Sequence, residues 1–593
     1  MRDDDSIKKF RYFPQEGDCI EEFTYFLAKV LNSGDIVADV VWAESLYQNP
    51  ELHVQETILN ACRIGCFEDV RQMLGSAPYQ GSSVGPSTTS LGEIIPSIST
   101  PITLKYLGKA VDGLYMQLVE NDKLYKSGNT GNGKFFSIVQ SSGTGKSRAM
   151  IELRTKGVIV LYMNIRSKDD INGYPERDHP VADILQEFPQ SQQEYSDRCY
   201  ALFTVIFHVL KYTFKYYLPK ISKDDELVNH WNENMCDLGS PARAQFFQTV
   251  EAQFNKLWKK LGYTNPEAGQ GRTNPPDIYT SIATLKGAAK AWNEFATGRF
   301  GWKPGSNHPR LVIEFDEAHT LIHLHGNKYR PSTVLCRAIR EFSVFDVWVL
   351  FASTTPQVAD FFAPAISHDS LRVPAEGELL FPPYVHFGWD QNAMNTTKVR
   401  PHEVSEFEYI ARLGRPLWVS LKGRVSSENA VLNIACEKLC KNRSYNPTDR
   451  NQALAVLGAR LCLAIRRGHL ESNEFNTKAV ASHMRILKSI TPNRLWQTTI
   501  YPSEPLLACA AAIQLHSTSE SLKETLEVLS DNILDGMVET GNRGELVSRG
   551  LLLIGKDLFV RSLGLARTPA KYAENGKLPD CMSVSVVEYL RST

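Results

Sequence analysis

Apolar positions along the chain follow two rhythms. Four short runs are apolar at nearly every position: FFSIV (135–139), VIVLYMNI (158–165), LVIEF (311–315) and FDVWVLFAS (345–353). Unbroken runs of this length, rich in Val, Ile and Phe, predict strands buried on both faces of a parallel sheet. Elsewhere the spacing is close to 3.6, as in CIEEFTYFLAKVL, VQETILNACRIGCFEDVRQML and LKYLGKAVDGLYMQLVENDKLY. DRCYALFTVIFHVLKYTFKYYL, ARAQFFQTVEAQFNKLWKKLG and PSTVLCRAIREFS share that spacing and predict amphipathic helices. The aromatic stripe between the second and third strands reads as core packing, with a nucleic-acid stacking surface as the other reading. The order of elements predicts an α/β core followed by a mostly helical half.

Breaks in the pattern divide the chain. Residues 1–74 read as an N-terminal helical region, and 75–100, rich in Gly, Ser, Pro and Thr, as a linker. Residues 101–395 form the α/β core with a helical insertion, 396–493 a helical lid, and 494–593 a mostly helical C-terminal region. The stretch 376–400 is turn-rich and connects core to lid.

Candidate chemistry gathers where the first run ends. FFSIV is followed by Gln140, the small-residue loop Ser141, Ser142, Gly143, Thr144, Gly145, and then Lys146, Ser147 and Arg148 opening a helix. Strand, glycine-rich loop and helix opening on Lys-Ser is the P-loop (Walker A) arrangement. Backbone N–H groups of such a loop can wrap a phosphate because no side chain blocks the approach. Lys146 would reach the phosphates and the Ser147 hydroxyl would ligate Mg²⁺. The full pattern places a glycine at position 140, where this chain has Gln140.

A second motif stands at 311–319, LVIEFDEAH. It has the form of Walker B, an apolar strand delivering Asp316 to Mg²⁺, with Glu317 next in line to orient or deprotonate an attacking water. The fourth run ends in Ser353, Thr354 and Thr355. In P-loop ATPases of the additional-strand class a polar residue there lies beside the terminal phosphate, and Thr354 is the candidate.

Composition narrows the setting. The chain has 593 residues, 42% of them hydrophobic, and a net charge of −1, so there is no general pull toward nucleic acid or anionic membrane. No apolar run reaches the ~20 residues of a membrane span. The start, MRDDDSIKKF, has no apolar segment of a signal peptide. The eleven cysteines are scattered, which fits a reducing intracellular setting, cytoplasmic or nuclear. Cys62/Cys66 and Cys436/Cys440 have helical spacing with no neighbouring His pair, and read as buried thiols.

SSGTGKSR, FDEAH, LFASTT and LGRPLW together resemble the P-loop NTPase module of Crinkler-like fungal proteins, which is similar to AAA+ and STAND ATPases. The resemblance covers roughly residues 100–500. In STAND proteins a Gly-x-Pro element opens the lid behind the nucleotide, and Gly414-Arg415-Pro416 matches it. The resemblance implies that Pro416 packs near the adenine and that Arg415 or Arg412 senses phosphate. It implies ATP and Mg²⁺ as cofactors. Some Crinkler-like chains carry a nuclease-like domain after the NTPase; GELVSR (544–549) could open one, but the remaining chain holds no Asp…Glu-x-Lys core.

Three functions stay open. The first is a Mg²⁺-dependent ATPase or ATP-gated conformational switch. The second is a non-enzymatic nucleotide-binding interaction or effector protein with an unknown protein partner, for which Gln140 is the main support. The third is a DEAH-type helicase; the long interval between Lys146 and Asp316, the neutral charge and the missing Arg-rich element of a second RecA-like domain weigh against it.

Overall fold

The computed structural model describes residues 54–64, 70 and 106–592, apart from 129–132, 171–174, 218–223, 264–277, 303–307, 326–328, 357–379, 395–398, 401, 422–426, 467–469, 492–495, 542–543, 564–578 and 583. The helix expected from Cys19 and the linker 75–100 lie outside these residues. The chain forms two compact units, 1–89 with 326–328, and the remainder. Of the first, the helix Val54–Ile64 is described, with Ile58 and Ala61 buried.

The second unit begins with α1 (Ala110–Lys126) and then builds the sheet: β1 (Phe135–Val139), α2 (Lys146–Glu152) and β2 (Ile159–Asn164). Helices α3 (His179–Gln186), α4 (Gln192–Tyr212), α5 (Asp224–Cys236), α6 (Pro241–Lys260) and α7 (Ile278–Phe300) follow before β3 (Leu311–Asp316), α8 (Pro331–Arg340) and β4 (Val347–Ser353). All four apolar runs therefore contain a strand, and every residue of those four strands is buried. Both faces are covered by helices, so no strand needs a polar face.

The sheet is parallel, in the order β1-β4-β3-β2. Phe135 lies opposite Val349, and Leu311 lies between Val347 and Ile159. Tyr384 adds an isolated parallel bridge on the free side of β1, donating to the Ser137 carbonyl (2.8 Å) and accepting from Val139 (3.0 Å). Because β1 neighbours β4 and not β2, the loop leaving β1 emerges beside the carboxyl ends of β4 and β3. Ligands of open α/β sheets bind at such edges.

The two faces have separate cores. Leu311, Ile313 and Phe315 pack with Phe203, Phe207 and Phe342 under α4. Val312 faces the other way, toward Phe136, Trp348, Leu114 and Met150. The aromatic stripe of α4 is thus interior except at its end: Phe203 and Phe207 lie 4.9 and 5.2 Å from the Phe342 ring, and Tyr212 is exposed. Ser191 starts α4 by accepting the N–H of Glu194, a serine N-cap of the expected kind.

The C-terminal half is helical with two small antiparallel pairs. Besides the short helices Phe407–Ile410, Leu417–Leu421 and Val586–Ser592, its elements are α9 (Glu428–Cys440), α10 (Arg450–Leu461), β5 (Ala464–Ile465), α11 (Leu470–Ser482), β6 (Ile486–Ile490), β7 (Gln497–Ile500), α12 (Pro505–Leu515), α13 (Ser521–Leu534), β8 (Val538–Glu539) and α14 (Glu545–Ser562). Trp418, Leu454, Leu506 and Ala510 belong to their core. GELVSR opens α14. The β6–β7 hairpin departs from the helix expected there. Its strands are short, half-exposed and irregular between Leu487 and Ser489, so they carry little periodicity. Leu487 and Val480 leave the C-terminal core and join Phe135 and Val139 in the core of the sheet. Among the described residues no helix is long and apolar enough to cross a membrane.

Candidate functional site at the carboxyl edge of the sheet

The turn after β1 is possible only because of its glycines. Gly143 and Gly145 have φ of 77° and 93°, in the left-handed region where a side chain is strained. Space also excludes a side chain at 143: a Cβ there would stand 2.7 Å from Leu417 Cδ2. Gly145 is the N-cap of α2. Ser141 and Thr144 are buried, and the Thr144 hydroxyl donates to the Ser141 carbonyl (3.0 Å).

Lys146 is folded back onto this loop. It is 7% exposed, and Nζ donates to the carbonyls of Gln140 (2.8 Å) and Ser141 (3.1 Å). Burial pulls its pKa down, and the charges of Glu317 and Asp316 oppose that pull. Ser147 Oγ donates to Asp316 Oδ2 at 2.5 Å, and the buried Tyr162 hydroxyl donates to the same oxygen at 2.6 Å. The other oxygen, Oδ1, accepts the Glu317 N–H (2.9 Å). Burial raises the Asp316 pKa above the usual carboxylate value, and the charge of Glu317 adds to the rise.

Glu317 is one of few non-glycine residues with positive φ, 57°. The left-handed backbone costs about 1–2 kcal/mol. It ends the pleat directly after Asp316, so the two adjacent carboxylates are not forced to opposite faces. Glu317 Oε2 lies 3.2 Å from His319 Nδ1, and Oε1 lies 3.8 Å from Arg166 Nη2. Burial would raise its pKa, but His319, Arg166 and Lys146 outweigh burial and hold it down at about 2.

Other expected site residues are placed less uniformly. Ser353 lies opposite Val139 at the end of β4, and its Oγ accepts the Thr355 N–H (2.9 Å). Thr354, half-buried, sits between them on this edge. Arg148 turns along its helix to Glu152 (3.0 Å). Arg415 is 1% exposed and pairs with Glu504 through Nε (2.6 Å) and Nη2 (2.9 Å). Its Nη1 donates to the Ser142 carbonyl (2.6 Å), and Nη2 also donates to the Met484 carbonyl (2.7 Å). Arg415 therefore clasps the loop backbone from the C-terminal half. Pro416 packs at Gly145, with Cγ 3.8 Å from where a Cβ would be. Arg412 is held by Glu408 (2.6 Å).

Four further contributors carry weak sequence signals or none. Tyr162 is hidden inside an apolar run. Arg166 follows the carboxyl end of β2, and a cation just past a strand on the Asp316 edge was a usable signal. Lys438, near the end of α9, is half-buried. Burial lowers its pKa, Arg415 and Arg166 lower it further, and Asp170 and Glu317 work against them. Glu504, 89 residues from Arg415, had no signal at all.

A family model described as a domain of unknown function (DUF8736) matches residues 445–563. That segment supplies Met484, Leu487 and Glu504. No curated protein and no solved structure matches the chain.

Proposed function

We propose that this edge is the phosphate site of a P-loop NTPase of AAA+/STAND type, and that the protein binds ATP with Mg²⁺ and hydrolyses it to switch the arrangement of its C-terminal half. One observation carries the reading: Lys146 and Ser147 stand at one sheet edge with Asp316 and Glu317, although Ser147 and Asp316 are 169 residues apart in sequence. An oxygen pair of one hydroxyl and one carboxylate, Ser147 and Asp316, is a donor set that would suit Mg²⁺. When bound there, the metal would neutralise phosphate charge. The residues' own work is simple. Lys146 exchanges two carbonyl acceptors for phosphate oxygens. Ser147 and Asp316 would hold the metal. Glu317 accepts a proton from, or orients, the attacking water. Arg166 and Lys438 add positive charge to the same edge, which favours an anion of high charge.

The test uses two substitutions. Glu317→Gln keeps shape and hydrogen bonding but removes the base, so turnover should fall about 10²–10⁴-fold while ATP still binds. Asp316→Asn should instead weaken Mg²⁺-dependent binding. Phosphate release that is unchanged in Glu317→Gln would assign the base elsewhere.

A nucleotide-gated binder without turnover is the second reading. It is favoured by the hold of His319 and Arg166 on Glu317, since a carboxylate with a pKa near 2 is a weak base. Wild-type phosphate release no higher than that of Lys146→Ala would select it. The helicase reading gains no support: among the described residues the C-terminal half has only antiparallel two-stranded pairs and no second parallel sheet.

A further inference from the structure

Gln140 stands where the loop motif has glycine, and its side chain is fully employed. It is 2% exposed. Oε1 accepts the N–H of Ser141 (3.0 Å) and of Leu487 (2.9 Å). Nε2 donates to the carbonyls of Val385 (3.0 Å) and Leu487 (2.8 Å). The carboxamide thus uses both ends on one residue of β6, pairing with its backbone as a neighbouring strand would. Glycine could make none of these bonds.

The backbone of the same residue belongs to the loop. Its N–H donates to Ser353 at the end of β4 (3.3 Å), and its carbonyl is one of the two that hold Lys146. A group that draws Lys146 away therefore changes the bonding of a residue whose side chain is fixed to β6. Leu487 is joined to the sheet half twice, by this backbone pairing and by its side chain in the core with Val139. Two residues further along the loop, Arg415 links Ser142 to Met484 and Glu504. Leu487, Met484 and Glu504 all lie within 445–563.

We propose that the 445–563 domain reads the state of the phosphate loop, and that Gln140 is the positioning residue that couples them. The substitution at position 140 is then the joint through which loop occupancy reaches β6, and not a decayed phosphate contact. This rests on the nucleotide reading above, which has its own test. Buried amides satisfied at every donor and acceptor fix a single geometry, so a displaced loop carbonyl must be followed by β6 or break the pairing.

The experiment is hydrogen–deuterium exchange on the full chain, with and without Mg²⁺ and a non-hydrolysable ATP analogue, at concentrations that saturate each protein in calorimetry. In wild type, exchange over 486–490 should change at least fivefold on nucleotide addition. In Gln140→Gly, the variant that restores the motif, the change should fall below twofold although nucleotide is bound. Gln140→Met fills the same space without the polar bonds, should uncouple in the same way, and carries the test if the glycine variant does not fold. An undiminished response in either variant overturns the proposal, as does a wild type that binds the analogue with no change over 486–490. A wild type that binds no nucleotide in calorimetry removes the phosphate-site reading and this proposal with it, and the calorimetry separates that result from a failure of coupling alone.

Discussion

Asp316 and Glu317 are adjacent acids that the fold drives in opposite directions. Burial and its neighbour's charge keep a proton on Asp316 to higher pH than usual. His319, Arg166 and Lys146 keep Glu317 ionised down to about 2. The signs give a pH prediction. Glu317 is already ionised throughout the range above pH 4, so it cannot set the acid limb of turnover. Asp316 can, because a metal must displace its proton to bind. Raising Mg²⁺ tenfold should therefore move the acid limb of the pH–rate profile to lower pH. An acid limb that ignores Mg²⁺ would show that another group sets it. At this scale the sequence was informative: Asp316 and Glu317 are readable because they end an apolar run, and Lys146 and Ser147 because they follow one across a glycine-rich loop. The destination of Gln140 was not readable, because its partners Val385 and Leu487 contribute only backbone atoms, which leave no mark in a sequence.

At the scale of elements, the four strands were legible for the reason that they are buried on both faces. The β6–β7 hairpin was not, since only Leu487, Gln497 and Thr499 of its residues are buried, and three positions show no period. The short segment Gly414–Trp418 has a similar history. Its Gly-x-Pro pattern is visible, but the use of Arg415 depends on Glu504, which no local spacing announces. The pair predicts a large energetic effect. Arg415 and Glu504 side chains are 0% and 2% exposed, and Trp418 Nε1 also donates to Glu504 (2.5 Å). Removing one partner of a buried pair leaves the other charge uncompensated and typically costs about 3–5 kcal/mol. Glu504→Ala should lose that much in urea unfolding. A loss below ~1 kcal/mol would mean that Arg415 had found another acceptor.

At the scale of the molecule, the α/β half and the C-terminal half have separate cores, yet Leu487 and Arg415 fasten them together at the loop. A ligand bound at that seam should stabilise both halves at once. At a hundredfold excess over its dissociation constant, a ligand specific for the folded state adds about 2.7 kcal/mol. Saturating Mg²⁺ and ATP should then raise the melting temperature of a single transition monitored at tryptophans of both halves, Trp348 and Trp418. Lys146→Ala should lose a charge-assisted contact of about 1.5–3 kcal/mol and with it at least tenfold in affinity. It should show a distinctly smaller rise in melting temperature at ATP concentrations that saturate the wild type, about half the stabilisation at a tenfold loss of affinity. Equal shifts in both proteins would dissociate Lys146 from the phosphate.

The bond between Gln140 and Leu487 spans 347 residues of chain. During synthesis the glycine-rich loop leaves the ribosome long before its anchor exists. At 5–20 residues per second, that interval lasts about 17–70 s. For that time Gln140, Val139 and Phe135 await a strand that has not been made, and the loop lacks the pairing that fixes it. A nascent chain halted before residue 487 should consequently hold the loop unanchored, and the anchored glycine-rich loop should arise late in translation, in one step with the arrival of β6.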